Sequence, residues 1–256
     1  MKIELTTENK GFNSWFGGSV LIKLGLIGFL TILLLIPSSL IQDLIAERQN
    51  RQKEVIREVS DKWSGSQLVQ GPVLVLPYKT TIIPEAANTN KSSAREIITN
   101  IYILPESLNV SSKVNPEVLH RGIFDAVVYN SKIKVRGKFS ALELIKSNID
   151  PAMIQWDKAK VAIGLSDLKG LKNNPLIRLG NESYSVEPDL NSLKLFTNNL
   201  IILPNLNTGK STALNFSFDL DLRGSEKLSF LHLGKSTTVK IEGEWNNPSF
   251  TGRYLP

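Results

Sequence analysis

Leu214-Asn-Phe-Ser-Phe-Asp-Leu-Asp-Leu222 alternates apolar and polar residues without a break. Side chains on an extended strand point to opposite faces with a period of two. Leu214, Phe216, Phe218, Leu220 and Leu222 therefore share one buried face, while the polar residues between them meet water. A helix made from the same residues would scatter its apolar groups around the circumference. The segment reads as a strand in a sheet with one wet face, and it sets the fold class as mainly β.

Working outward, Lys132-Ile-Lys-Val-Arg-Gly-Lys-Phe139 repeats the pattern with cations in the polar positions. Ile133, Val135 and Phe139 face one way and Lys132, Lys134, Arg136 and Lys138 the other. Short β-branched runs at Val73–Leu76, Ile97–Leu104, Phe124–Tyr129, Lys160–Leu165, Leu200–Leu203 and Thr237–Trp245 also read as strands. Asn130-Ser131 reads as a hairpin tip between two of them. Short helices are expected at Ala141–Asn148 and Leu190–Phe196, and a surface loop at Thr80–Ala94. The expectation is an antiparallel, sandwich-like β domain over 64–256.

The N-terminal quarter is different. Leu24–Ile41, LGLIGFLTILLLIPSSLI, has 18 residues without a charge. As a helix it is about 27 Å long, close to the roughly 30 Å hydrocarbon core of a bilayer. A buried core helix or a cleaved signal peptide would be alternatives, but the exit at Pro37-Ser38-Ser39 lacks an Ala-x-Ala-like site and more apolar residues follow. An uncleaved transmembrane helix over 18–41 is the better reading, after a 1–17 tail carrying Phe12, Trp15 and Phe16 at an interfacial position. Pro37 is expected to kink the span. Residues 42–63 hold no Gly or Pro and read as a helical stalk, ended by Ser64-Gly65-Ser66.

The chain has 30 Lys and Arg against 24 Asp and Glu, a net +6, and most of the excess falls after Trp63. A mildly basic domain beside a bilayer can touch anionic head groups or an acidic polymer. There is no cysteine, which excludes disulfides, thiolate metal sites and a thiol nucleophile. The two histidines, His120 and His232, have no ligand spacing around them, and no phosphate-cradling Gly loop is present. Gly164-Leu-Ser-Asp-Leu168 approaches a nucleophile elbow but lacks the final glycine. Ser166-Asp167-Leu-Lys-Gly170 reads instead as a capped turn, with Ser or Asp capping and Gly170 closing it, or as a binding turn. The row Lys132, Lys134, Arg136, Lys138 fits either a solvated face or blunted edge strand, or an envelope-contact face. Nucleic acid is disfavoured because no aromatics interleave that row. The sequons at Asn109, Asn181 and Asn215 would matter only in a eukaryotic secretory setting.

Several phrases, in order, resemble the CreD family of bacterial inner-membrane proteins. They are LLLIPSSLIQDLIAER, Gly71-Pro-Val-Leu-Val-Leu-Pro77, Tyr102-Ile-Leu-Pro-Glu-Ser-Leu108, Arg121-Gly-Ile-Phe124, Ser166-Asp-Leu-Lys-Gly170 and Trp245-Asn-Asn-Pro-Ser-Phe-Thr-Gly-Arg-Tyr-Leu-Pro256. The fourth resembles a family hairpin. The last two are family-motif turns, carried by Ser166, Asp167, Gly170, Trp245, Pro248, Ser249, Phe250 and Gly252, with Trp245–Pro256 expected as a packing corner. The resemblance implies a cytoplasmic N-terminus, a periplasmic β domain and a link to cell envelope integrity or an envelope stress response. It supplies no catalytic residues and no cofactor. It also implies that family sequence continues beyond Pro256, leaving the β domain incomplete at its C-terminus. The expected function is binding to lipid head groups, a cell-wall polymer or another envelope protein. An anchored sensory or ligand-binding domain is the alternative, and an envelope hydrolase would require a cluster of titratable groups in one cleft.

Overall fold

The computed structural model describes residues 20–82, 95–140, 149–189, 193–206, 213–245 and 248–252. The chain divides into two units, Met1–Glu54 and Val55–Pro256. In the first, the described residues form one continuous helix that enters the second; this helix, α1, covers Val20–Trp63. At 1.5 Å per residue it is about 66 Å long. Its apolar stretch is exposed all round, with Leu21 81% and Leu34 69% accessible, which no core helix of a soluble protein tolerates. Two of the three hydroxyls in the stretch bond back to the helix, Thr31 Oγ1 to the Ile27 carbonyl and Ser39 Oγ to that of Ile36, both at 2.8 Å. Neither of these two groups is left to seek water in a hydrocarbon layer. Helical structure passes through Pro37 without interruption.

The second unit is a sandwich of two six-stranded sheets. In the first sheet, β1 (Gln67–Ile82) is central, with β2 (Arg95–Ile103) and β5 (Lys160–Leu165) antiparallel beside it. β9 (Asn198–Ile202) and β8 (Glu187–Asp189) extend it, and β11 (Leu228–Phe230) pairs with β1 in parallel. The second sheet has the order β12 (Ser236–Gly243), β3 (Ser107–Arg121), β4 (Phe124–Phe139), β10 (Leu214–Ser225), β6 (Leu176–Leu179) and β7 (Glu182–Ser185). All its pairs are antiparallel except β12 with β3. Between the sheets lies one core. Leu74, Leu76, Val161 and Ile163 from the first sheet meet Ile133, Val135, Phe216, Phe218 and Leu220 from the second. The strictly alternating segment is β10, and Phe216, Phe218, Leu220 and Leu222 are buried as its pattern requires.

Several expectations are corrected. Asn130-Ser131 is not a hairpin tip: β4 runs unbroken from Phe124 to Phe139 in constant register with both neighbours. The turn is at Gly122-Ile123, where Gly122 has φ +62°, the left-handed conformation that the first loop residue of a two-residue hairpin often requires. The apolar runs do not announce β3, because Asn115-Pro116 and its scattered polar residues break the pattern; only the hairpin resemblance at Arg121–Phe124 points to it. Residues 193–196 form no helix; Leu193, Leu195 and Phe196 lie as irregular chain over Val73, Val75 and Ala162 on the outer side of the first sheet. Thr80–Ile82 belong to β1 rather than to a loop, while 83–94, 141–148 and 190–192 lie outside the described residues.

Candidate functional site

The outer face of the second sheet changes character along its length. On β4 it presents Ala126 and Val128, then Lys132, Lys134, Arg136 and Lys138. The apolar end is covered by the last turns of α1: Ile56, Val59 and Trp63 pack with Leu119, Ala126 and Val128. Arg223, on the same face of β10, lies 5.5 Å from the centre of the Trp63 ring, a cation–π contact. At the rim Arg121 Nη2 donates to Glu58 Oε1 at 2.7 Å. Glu58 sits below the ordinary carboxylate range, chiefly through its bond from Lys62 and further through Arg121.

The other end is open. β4 lies between β3 and β10, so its cation row is in the middle of the sheet and is no blunted edge. Register assigns each cation its neighbours. Lys132 lies between Lys113 and Asp221, Lys134 between Ser111 and Asp219, Arg136 between Asn109 and Ser217, and Lys138 between Ser107 and Asn215. Carboxylates thus stand opposite the lower two cations only. Lys138 reaches Glu106 at 3.2 Å, and Asp221 is shared with Lys172 at 3.8 Å. Beyond β10, Arg178 of β6 is aligned with Ser217 from the other side. Arg136, Arg178, Asn215 and Ser217 line a shallow cleft of about 480 Å3. Arg178 is the member that sequence reasoning missed, since Leu176-Ile-Arg-Leu179 is too short to announce which strand it joins.

The turn Ser166–Gly170 is elsewhere, at the joint between α1 and β1. Asp167 accepts hydrogen bonds from Lys169 N at 2.9 Å, Ser64 Oγ at 3.0 Å and Gly65 N at 3.2 Å. Burial opposes its charge, but these three bonds outweigh it and hold its pKa below the usual carboxylate range. Gln67 Nε2 donates to Ser64 Oγ and to the Asp167 carbonyl, both at 2.9 Å. Ser166 Oγ donates to the Ser66 carbonyl at 2.7 Å and accepts from Leu68 N. Ser225 Oγ donates to the Ser64 carbonyl at 2.8 Å. Gly170 is needed for space rather than for turn geometry: a Cβ there would lie 2.3 Å from both the Arg223 carbonyl and Gln67 Nε2. These bonds tie the turn, the helix end and the start of β1 into one polar joint.

With that geometry in view, comparison with known proteins is informative. The family model for Inner membrane protein CreD matches residues 19–256. The chain belongs to the CreD family. Inner membrane protein CreD of Escherichia coli (strain K12) is 26% identical over 225 residues, covering 88% of this chain and 49% of that protein. The chain therefore spans about half the length of that curated relative. No solved structure matches it. An inner-membrane family fits the long apolar helix α1, and the phrases noted in the sequence have places in this fold. Arg121–Phe124 turns the β3–β4 hairpin, and Ser166–Gly170 joins helix to sandwich. In the Trp245–Pro256 motif Trp245 and Phe250 are 42% and 57% exposed and Pro248, Ser249 and Gly252 are exposed too, while 246–247 and 253–256 lie outside the described residues.

Proposed function

We propose that this chain is the membrane-anchored part of an inner-membrane protein that supports cell envelope integrity by binding rather than catalysis. Its N-terminus is in the cytoplasm and its sandwich in the periplasm, where the open cationic face contacts an anionic envelope component. The observation that carries this reading is the row Lys132, Lys134, Arg136 and Lys138 in mid-sheet, with Lys113 and Arg178 on flanking strands. A row of that kind near an anionic surface is worth up to about 1 kcal/mol per cation, so about 4 kcal/mol for four. That is ample for reversible association and is weakened by salt.

The test uses the full chain in phosphatidylcholine nanodiscs, added to vesicles containing anionic lipid. Changing Lys132, Lys134, Arg136 and Lys138 together to Gln is expected to weaken association at least about tenfold. Unchanged association withdraws the reading. The native chain has no cysteine, so Ser111→Cys gives a single thiol for topology. Labelling by a membrane-impermeant maleimide from the periplasmic side is expected, and labelling only after lysis would reverse the orientation.

A further inference from the structure

We propose that Arg136, Ser217 and Arg178 form a binding site for a phosphate group. This rests on the cationic face reading and names its ligand. The three residues lie in one row across three strands, because Arg136 and Arg178 are each paired with Ser217. With strands about 4.8 Å apart, the two arginine backbones are roughly 10 Å from each other, with the serine midway on the same face. Two long side chains can converge from either side on an anion held over the hydroxyl. The cleft they line also contains Asn215, and no carboxylate lines it.

Neither guanidinium is ion-paired with a described residue, and both are exposed. Asp219 is the nearest acid along β10, but in register it faces Lys134 rather than either arginine. The rest of the row differs in this respect: Lys138 bonds Glu106, and Lys132 faces Asp221. Two planar five-donor forks, ion-paired with no described residue and flanking a hydroxyl, match an anion with several oxygens. A carboxylate has only two oxygens, both in one plane, and pairing bidentately with one fork leaves it poorly shaped to meet a second fork and a hydroxyl as well. A tetrahedral phosphate offers oxygens to both forks and to Ser217 Oγ together. The cleft is shallow, so the phosphate can be free or carried on a lipid head group.

The experiment uses the full chain in phosphatidylcholine nanodiscs with 15N-labelled arginine. Inorganic phosphate is expected to shift the Nε–Hε signals of Arg136 and Arg178 in one saturable step, and acetate at matched ionic strength is not. Arg178→Gln should raise the apparent dissociation constant at least about tenfold, against less than about threefold for Lys134→Gln. A thermal melt of Arg178→Gln superimposing on the parent establishes that folding is intact. An equal response to acetate, or equal effects of the two variants, overturns the site. The second arm is binding to vesicles with 30% phosphatidic acid. Arg178-dependent binding there without a response to inorganic phosphate assigns the group to a lipid. A phosphate response with vesicles binding Arg178→Gln and parent alike assigns the group to free phosphate. If inorganic phosphate gives no response and vesicles bind both alike, the phosphate site fails while the cationic face stands. If the quadruple variant also binds like the parent, both fail.

Discussion

The two halves of one strand face behave in opposite ways. Ala126 and Val128 on β4 are buried beneath α1, whereas Lys132, Lys134 and Arg136, farther along the same face, are exposed. β3 pairs with both halves, and β10 with β4 from Val128 onward. What differs is what covers the side chains. One half has a fixed intramolecular partner and the chemistry to match it; the other presents charge that the protein itself answers only in part. The contrast locates the surface available to a ligand.

The largest effect is expected from breaking the covered half. Val128→Asp would bury an unpaired carboxylate under Val59 and should cost about 3–5 kcal/mol. A large fall in the thermal midpoint, with protease cleavage near Trp63, would register it; an unchanged midpoint would mean that α1 does not pack there. Next is the joint beside it. Asp167→Asn should cost about 1–2 kcal/mol by weakening the acceptance of three hydrogen bonds. Because the folded pKa of Asp167 is lowered, its contribution is complete above the ordinary carboxylate pKa and is lost as pH falls through the folded value. The gap between parent and variant should therefore close on acidification below about pH 4. A gap independent of pH would place the effect in packing. On the open half, Lys134→Gln should change stability by less than about 0.5 kcal/mol while reducing affinity for anionic vesicles. The smallest effect belongs to the exposed rim: Arg121→Gln should cost at most about 0.5 kcal/mol by chemical denaturation, because both partners are solvated.

The same contrast explains what could be read in the sequence. β10 was legible because one of its faces is core and the other water throughout, so its alternation is strict. β4 was divided in two because its first half is apolar on both faces, against the core and beneath α1, so that alternation fails until Lys132. Asn130-Ser131 fell at that change and imitated a turn. The cation row was legible residue by residue, but its central position and its alignment with Arg178 depend on pairing between strands far apart in sequence. The roles of Asp167 and Gly170 were legible in part. Asp167 does cap the turn Leu168–Gly170, but its bonds to Ser64 and Gly65 cross about 100 residues and leave no local trace.

Only Ser64, Gly65 and Ser66 separate α1 from β1, and each is fastened. Ser64 and Gly65 are tied to Asp167 and Ser225, and Ser66 to Ser166. The connector has no slack and no swivel. A twist applied to the final turns of the helix cannot be absorbed by bond rotation between them and β1; it must either turn the sandwich or rupture several hydrogen bonds together. The joint therefore works as a spline rather than a tether.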